Sequence, residues 1–248
     1  MDSSANKLKM NFKFKLRYLL PEGLNKIFTR ISSTRYRKRK IDHVYQKINY
    51  NRISLIMKSI LLFPHETVKY LEIGCFNDDV FNSIPLNLTQ KVGVDPQKGG
   101  TLRLTSDSFF KSNKDKFNVI FIDGLHTYDQ VRRDILNSIQ CLCDDGFIFI
   151  HDMLPESEIS SKVPRQNFVS NWNGDVFKVI FDIIQNNNLE FKIVNIDFGI
   201  GIITKNNNNT IFLNENSYDY KYFMQNKHEL PIISLEDSFK FLESKLKK

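Results

Sequence analysis

The sequence predicts an α/β protein with a doubly wound, mostly parallel sheet, and three features of its 248 residues support this fold. Short apolar runs alternate with amphipathic segments, as strands and helices do in such proteins. Four of these runs end in a glycine or a polar residue, which is how buried parallel strands end at a ligand-binding edge. Two further runs near the C-terminus lie so close together that only an antiparallel hairpin can connect them.

The first half of the chain predicts one helix followed by buried strands. The helix covers residues 43–62, has apolar residues along one side, and is stopped by Pro64. Four strands rich in β-branched and aromatic residues follow. They are predicted over 68–73, 91–94, 118–122 and 147–150, and they end in Gly74, Asp95, Asp123 and His151.

A helix is predicted directly after the third strand, because its apolar residues recur on one helical face. Thr127 is predicted to cap this helix, with Gln130 in the capping-box position, and residues 144–146 are predicted to end it. Later elements follow the same reasoning. They are a helix beginning near Asp175, hairpin strands over 191–196 and 199–204, and a closing helix over 236–247.

The positive charge of the protein is concentrated at its N-terminus. The net charge is +7, but residues 1–50 hold thirteen Lys or Arg against three Asp or Glu, a charge of +10; the remainder holds 22 against 25, a charge of −3. We therefore expect a basic extension over 1–42, a folded domain over 43–205, and a C-terminal extension over 206–248 that packs on the domain. Residues 7–40 would be a solvated, half-ordered extension or would contact nucleic acid, anionic lipid headgroups or an acidic partner.

The cysteine content and the hydropathy bear on the compartment. Three cysteines, Cys75, Cys141 and Cys143, form no disulfide framework and favour a reducing compartment. The sequence shows no signal peptide and no apolar run long enough to span a bilayer. These features predict a cytoplasmic protein, which the basic extension would be able to hold at a membrane surface.

The loop after the first strand predicts a site for a cofactor without a pyrophosphate. Gly74 allows the chain to turn tightly and to approach a ligand closely. A dinucleotide-binding loop would continue as G-x-G-x-x-G, whereas this chain has Phe76 and Asp79 at the later glycine positions.

Two stretches after the second strand are candidates for binding a nucleoside. Asp95 follows the glycine turn by about 20 residues, which places it to accept both hydroxyls of a ribose; an Asp-Pro turn is the alternative. Ser106 and Asp107 precede the next crossover and are candidates for an adenine edge. Both residue types are equally typical of a helix cap.

The strands that end at Asp123 and Asp152 are predicted to be neighbours, so their carboxylates would lie about 5 Å apart. Two carboxylates repel unless a proton, a hydrogen-bonded partner or a cation such as Mg²⁺ lies between them. His126 lies one helical turn beyond Asp123 and is a candidate base for a substrate hydroxyl. His151 is a second candidate as ligand or base, and a structural hydrogen bond is the alternative for both histidines.

Several motifs within residues 65–205 resemble class I S-adenosylmethionine-dependent methyltransferases, in particular a group associated with surface-polysaccharide and secondary-metabolite pathways. The motifs are LEIGCF, GVDP, TSDSFF, FIDGLHTYDQVRRDI, GFIFIHDMLP, WNGDVFKVI and GIGII. The combination of I-D-G-x-H-x-Y with H-D-x-x-P after the next strand is the most specific part. The resemblance implies a Rossmann-like class I methyltransferase fold and S-adenosylmethionine as cofactor.

The resemblance also implies roles for individual residues. The implied cofactor-binding residues are Glu72, Gly74, Phe76, Asp95, Ser106, Asp107 and Asp123. Asp123 and Asp152 occupy the positions at which metal-dependent relatives bind Mg²⁺, and His126 matches the proposed base of the macrolide-sugar branch. One departure bears on the metal: His151-Asp152 stands where relatives have Asp-Asn or Glu-Asp, so one oxygen ligand is replaced.

These observations predict a methyltransferase that modifies a hydroxyl on a sugar, a glycan or another small acceptor. His126 is the candidate base, Asp123 the second candidate catalytic residue, and Trp172 a candidate wall of the acceptor pocket. Two alternatives belong to other classes of function. One is a catalytically inactive methyltransferase-like binding module, and the other is a nucleic-acid or membrane-surface binder that acts through the basic extension.

Overall fold

The computed structural model describes residues 51–206 and 218–246, which form one mixed sheet with helices on both faces. The strands are β1 (Tyr70–Ile73), β2 (Lys91–Val94), β3 (Phe117–Ile122), β4 (Leu142–Ile150), β5 (Leu189–Val194), β6 (Ile200–Lys205) and β7 (Ile232–Ile233). The α-helices are α1 (Arg52–Ile60), α2 (Asp79–Ser83), α3 (Ser106–Ser112), α4 (Tyr128–Cys141), α5 (Val179–Ile184), α6 (Tyr220–Asn226) and α7 (Leu235–Leu246). The predicted basic extension over 1–42 lies outside the described residues.

The seven strands follow the order β2-β1-β3-β4-β6-β5-β7. Strands β2, β1, β3 and β4 are parallel neighbours, whereas β6 runs antiparallel to both β4 and β5. The predicted doubly wound, mostly parallel sheet with a C-terminal antiparallel hairpin is therefore confirmed. The antiparallel hairpin of β5 and β6 beside β4 is the feature that the resemblance to class I methyltransferases implies.

The side chains of the strands alternate between two apolar clusters, one on each face of the sheet. Ile120 and Ile148 contribute to the cluster that α4, α5 and α6 cover. Phe121 and Phe149 contribute to the opposite cluster, which α1, α2 and α7 cover. Because both faces are covered, the central runs 119–122 and 147–150 are wholly apolar, whereas Glu72 is a buried acidic residue within β1.

The cap of α4 differs from the one predicted. The side chain of Thr127 makes no capping hydrogen bond, although Thr127 is the residue at that position. The backbone N–H of Tyr128 instead donates to Oδ1 of Asp175 at 2.7 Å, so a carboxylate from a distant loop satisfies the first turn. Gln130 does not complete a capping box either, because its amide donates to Ser106, Asp107 and Asp134.

The predicted end of α4 is also wrong. The helix ends at Cys141, and residues 144–146 lie inside β4 rather than after the helix. Gly146 is required there by packing, because a Cβ at this position would lie 2.8 Å from the carbonyl oxygen of Asn118 on β3. The polar sequence Asp144-Asp145 therefore belongs to the exposed start of a strand.

The C-terminal residues add to the sheet and to one face of the domain. Strand β7 pairs in parallel with β5, and α7 contributes Leu235 and Leu242 to an apolar cluster. The predicted domain boundaries at 42/43 and 205/206 stay predictions. Within the two described ranges there is no helix with the length and apolar character of a membrane span.

The remote cap of α4 yields a stability prediction. We expect Asp175→Ala to lower the free energy of unfolding by about 1–2 kcal/mol, because it leaves the N–H of Tyr128 without its acceptor. Thr127→Ala, the matched control, should change it by only a few tenths of a kcal/mol. Urea denaturation followed by circular dichroism measures both, and equal losses in the two variants would contradict the remote cap.

Candidate functional site

The turn after β1 brings the ends of three strands together. Gly74 has φ +89°, and a Cβ there would lie 2.2 Å from the carbonyl oxygen of Asp123. Its N–H donates to the carbonyl of Val94 at 2.9 Å, while the N–H of Asp123 donates to the carbonyl of Ile73 at 2.8 Å. Only glycine combines this φ with so close an approach, so Gly74 is required to assemble this edge of the sheet.

A cleft of about 510 Å³ lies at the carboxyl ends of β1, β2 and β3, and we call it the first cleft. Six of the predicted site residues line it: Gly74, Phe76, Asp95, Ser106, Asp123 and His126. The cleft is also lined by Pro96, Gln97, Thr105, Gly124, Leu125, Gln130 and Asp134. The residues that the sequence placed at separate strand ends thus share one concave site.

Asp95 forms the turn that the sequence offered as the alternative, and it also faces the first cleft, so its role at a ribose stays a prediction. Its Oδ1 accepts from the N–H groups of Gln97 and Lys98, and its Oδ2 accepts from Phe76 N–H at 3.0 Å. Burial would raise the pKa of Asp95, but these backbone hydrogen bonds lower it below its ordinary value. Asp95 is therefore an ionised acceptor, and Oδ2 has a lone pair left for one more donor.

A second cleft of about 490 Å³ adjoins the first and shares Gly74, Phe76, Asp123 and His126 with it. Glu72 lines this second cleft rather than the first. It is buried, and its Oε2 accepts from the Tyr70 hydroxyl at 2.6 Å. Burial raises the pKa of Glu72 to about 8, against the opposing effect of this hydrogen bond. Among the described residues, no cation forms an ion pair with Glu72, and Lys91 acts on it only from a longer distance.

Asp123 and Asp152 lie at the ends of neighbouring strands, as predicted, because β3 and β4 pair in parallel up to Ile122 and Ile150. His126 bridges them: its Nδ1 lies 2.8 Å from Oδ2 of Asp152, and its Nε2 lies 3.5 Å from Oδ1 of Asp123. Nδ1 also lies 2.9 Å from the carbonyl oxygen of Trp172. Since both neighbours of Nδ1 are acceptors, we assign a proton to Nδ1.

The electrostatics of this cluster follow from its pairing. Burial alone would lower the pKa of His126, but Asp123 and Asp152 outweigh burial and raise it to about 10. Burial would raise the pKa of both carboxyls, but His151 and His126 hold both well below the ordinary value. The positive partner that two adjacent carboxylates require is therefore supplied by imidazole.

His151 holds the other side of the cluster. Its Nδ1 lies 3.2 Å from Asp123 and 3.3 Å from Asp152, although the alignment is too poor for a hydrogen bond. Its Nε2 contacts the guanidinium of Arg52 and lies 3.5 Å from Asp197. The carboxylates raise the pKa of His151 against its burial, whereas the Arg52 contact requires an acceptor at Nε2. We favour a neutral His151 with its proton on Nδ1, because an imidazolium would face a guanidinium.

Arg52 and Asp197 belong to the site although the sequence analysis missed both. Arg52, at the start of α1, lies 3.3 Å from Asp123 and pairs with Asp197 through Nε, also at 3.3 Å. The two residues are 145 positions apart, so no local motif connects them. A lone basic residue at a helix start and an aspartate in the hairpin turn were the only available signals.

The loop before α5 orients the imidazole of His126 and the carboxylate of Asp152. The rings of His126 and Trp172 stack with centroids 5.4 Å apart and an angle of 10°. Asn173, which is buried, donates from its side-chain amide to Oδ1 of Asp152 at 2.7 Å. Trp172 lines neither of the two clefts, so its predicted role as an acceptor wall stays a prediction.

Ser106 and Asp107, the predicted adenine-edge residues, separate in the structure. Ser106 lines the first cleft, whereas Asp107 does not. The side chain of Asp107 is about half exposed and contacts Gln130 and Arg133. Neither residue caps α3, because Thr105 does so by accepting from the N–H of Ser108.

Asp123, His126 and Asp152 are also the residues that would hold a metal ion. One ligand atom from each lies within 4.8 Å of the others. Mg²⁺ prefers oxygen ligands in an octahedral arrangement, whereas one of these three ligands is an imidazole. The carboxylates are already paired with the positively charged His126 and Arg52, and a cation would have to displace these groups. The arrangement therefore fits Mg²⁺ poorly.

Comparisons with known proteins agree with this architecture. Residues 91–153 match the family described as a methyltransferase domain. The match covers roughly a quarter of the chain, and it runs from β2 through α4 to the residues just after β4. It therefore includes Asp95, Asp123, His126 and Asp152. Among curated proteins, none matches the sequence significantly.

Two solved structures with a similar course of the chain are described as methyltransferases. A Staphylococcus aureus protein to which caffeoyl-CoA O-methyltransferase activity is attributed is 14% identical, with a TM-score of 0.47 and coverage of 80% of this chain and 99% of that one. An O-methyltransferase from Bacillus cereus, in complex with SAH, is 11% identical, with a TM-score of 0.45 and coverage of 65% and 84%. At these identities and scores, neither protein indicates which acceptor this chain uses.

The raised pKa of His126 yields a prediction of pH-dependent stability. Its folded-state pKa of about 10 exceeds the ordinary 6.5. The stabilisation that protonated His126 gives to the folded protein is thus complete below the ordinary pKa. It is lost as the pH rises towards the pKa of His126 in the folded protein. We expect the gap in unfolding free energy between wild type and His126→Gln to shrink by at least about 1.4 kcal/mol, the equivalent of one pKa unit, from about pH 6 to about pH 9.

Urea titrations of both proteins across this range measure the gap. The difference between the proteins cancels the titration of groups that both share. A gap that is constant, or that widens with pH, would show that the carboxylates do not hold the proton on His126.

Proposed function

We propose hydroxyl methylation as the reaction of this chain, which is an S-adenosylmethionine-dependent methyltransferase with the class I fold. One observation carries the proposal. The imidazole of His126 is fixed through Nδ1 by Asp152, and the same residue lines both clefts where they meet. A positioned imidazole at the junction of two clefts suits proton removal from an acceptor beside a bound cofactor.

The proposed cofactor position follows from the lining of the clefts. The adenosine part would occupy the first cleft, with Asp95 accepting from a ribose hydroxyl through Oδ2. The methionine part would pass Gly74 and Phe76 into the second cleft, where its ammonium group would form the ion pair that no cation of the described residues forms with Glu72. This arrangement places the methyl group near Asp123 and His126, where the clefts meet.

The protein would have to align the acceptor oxygen with the methyl group and remove the hydroxyl proton. Methyl transfer is an in-line displacement, so fixing the acceptor oxygen against the methyl group supplies much of the rate acceleration. Because its pKa is raised to about 10, His126 is mostly protonated at neutral pH, so its neutral fraction would accept the hydroxyl proton at Nε2, while Asp152 holds Nδ1–H and stabilises the resulting imidazolium. Asp123 lies beside Nε2 and would favour the same charged product.

The acceptor is proposed as a sugar or another small hydroxyl compound. A glycan as the acceptor, association with polysaccharide synthesis, and a cytoplasmic or membrane-surface location all stay predictions. The proposed anionic contact through residues 7–40 lies outside the described part of the chain. An inactive binding module is the outcome that the experiments below would reveal if no turnover occurs.

The first experiment separates binding from catalysis with two variants. We expect wild type to bind S-adenosylmethionine in isothermal titration and to release S-adenosylhomocysteine with at least one compound from a panel of sugars and phenols. His126→Ala should keep cofactor affinity and lower kcat by about 10²–10⁴-fold, the usual contribution of a general base. Asp95→Ala should weaken cofactor binding instead.

The pH profile adds a test of the role of His126. Because carboxylates raise its pKa, kcat should increase with pH along a limb whose apparent pKa lies above the ordinary 6.5, and His126→Ala should lack this limb. Failure of wild type to bind S-adenosylmethionine would overturn the proposed function. Cofactor binding without turnover of any acceptor would favour the inactive module.

The pairing of the carboxylates predicts that no divalent metal is required. We expect turnover by wild type to be unchanged after dialysis against EDTA, because the positive charges of His126 and Arg52 already offset those of Asp123 and Asp152. The measurement is the release of S-adenosylhomocysteine with and without added Mg²⁺. A loss of activity in EDTA that Mg²⁺ restores would instead assign the metal role to these carboxylates.

A further inference from the structure

Asp134 of α4 has an unpaired carboxylate oxygen at the first cleft. The residue is 1% exposed and lines that cleft. Its Oδ1 accepts from the side-chain amide of Gln130 at 3.0 Å. Its Oδ2 is buried and has no hydrogen-bond partner among the described residues. The sequence analysis gave Asp134 no role.

An unpaired buried oxygen of this kind destabilises the folded protein. A buried polar atom without a partner costs about 1–3 kcal/mol, and more when it is charged. Burial and the nearby charge of Asp107 raise the pKa of Asp134 to about 6, against the hydrogen bonds from Ser106 and Gln130. The group is therefore mostly ionised at neutral pH, and Oδ2 remains an acceptor there.

The position of Oδ2 indicates what kind of donor would reach it. Oδ2 lies 3.8 Å from the point that a Cβ on Gly124 would occupy, and Gly124 also lines the first cleft. A side chain at Gly124 would therefore lie against the carboxylate, and its absence leaves this side of Asp134 uncovered. Ser106 and Gln130 line the same cleft, and the side-chain amide of Gln130 donates to Oγ of Ser106. A donor for Oδ2 would therefore come from the edge of a ligand bound in the first cleft.

We propose that Asp134 determines the base specificity of the cofactor site by accepting a hydrogen bond from the exocyclic amino group of adenine. This proposal rests on the proposed function, since it takes S-adenosylmethionine as the ligand of the first cleft. Asp134 replaces Asp107 as the carboxylate at the adenine edge. Asp107 lies outside the cleft, and its side chain is bonded to Gln130 and Arg133 at the surface.

The variant Asp134→Asn tests the proposal, with Asp107→Asn as its matched control. The side-chain oxygen of the new asparagine is needed to accept from Gln130, so its NH₂ group would face the adenine amino group, donor against donor. We expect the Kd for S-adenosylhomocysteine to rise about 10- to 100-fold in Asp134→Asn, the range that one lost hydrogen bond supports. In Asp107→Asn the Kd should stay unchanged.

A second ligand separates recognition from structural damage. S-inosylhomocysteine presents a carbonyl oxygen in place of the amino group, so wild type should bind it more weakly than S-adenosylhomocysteine. Asp134→Asn should lower this preference at least about tenfold, because its NH₂ group can donate to the carbonyl. Isothermal titration of both ligands into all three proteins gives the ratios.

Each outcome has one meaning. A parallel loss of both ligands in Asp134→Asn, or no loss of either, would overturn the proposal and indicate a structural role, such as the binding of a buried water. A change of preference in Asp107→Asn instead would return the adenine edge to Asp107. If wild type binds neither ligand, the proposed function itself fails.

Discussion

Two carboxylates held together at adjacent strand ends are the constraint on which the rest of this site depends. Parallel pairing of β3 with β4 fixes Asp123 and Asp152 at one edge of the sheet, where Asp152 is buried and Asp123 is partly buried. At this separation, in a medium of low dielectric, their repulsion is severe unless positive groups lie between them. The fold therefore has to deliver such groups to one small region.

The groups come from distant parts of the chain, which explains why loops and helices far apart in sequence meet here. His126 comes from the start of α4 and Arg52 from the start of α1. The loop before α5 contributes Asn173, Trp172 and Asp175, the last of which caps α4 and so holds the helix that carries His126. Gly174 must lack a side chain, because a Cβ there would lie 1.7 Å from the carbonyl oxygen of His126. Stability of α4 and orientation of the imidazole thus share one loop.

The sequence predicted correctly those features of the fold that depend on a local pattern of residues. Strand ends, the hairpin, and the grouping of Gly74, Asp95 and Asp123 at one edge follow from apolar runs and from the rule that parallel strands end together. The wrong predictions were those made from local sequence alone at positions where a contact with a distant residue decides the structure. Thr127 is a typical cap residue, yet Asp175 fills the role from 47 positions away.

The same limit explains the residues that were missed. Arg52 and Asp197 are joined only by packing of α1 against the hairpin turn, which no spacing in the sequence reveals. Asp107 and Asp134 are both acidic residues near the same crossover, and both bond to Gln130. Only the structure shows that one faces solvent while the other has a buried oxygen without a partner.

The acidic residues of the site consequently fall into two groups with opposite electrostatics. Asp123 and Asp152 are paired within the protein, and their pKa values are lowered. Glu72 and Asp134 are buried with too few donors, and their pKa values are raised to about 8 and about 6. S-adenosylmethionine has a donor at each end, an ammonium group and an adenine amino group, which are what the second group lacks. The first group instead needs nothing from the cofactor, so it can hold His126 in place before the cofactor arrives. Buried carboxylates without donors destabilise the free protein, and a ligand that supplies the donors removes this cost. The paired carboxylates instead keep the reacting groups in a fixed arrangement.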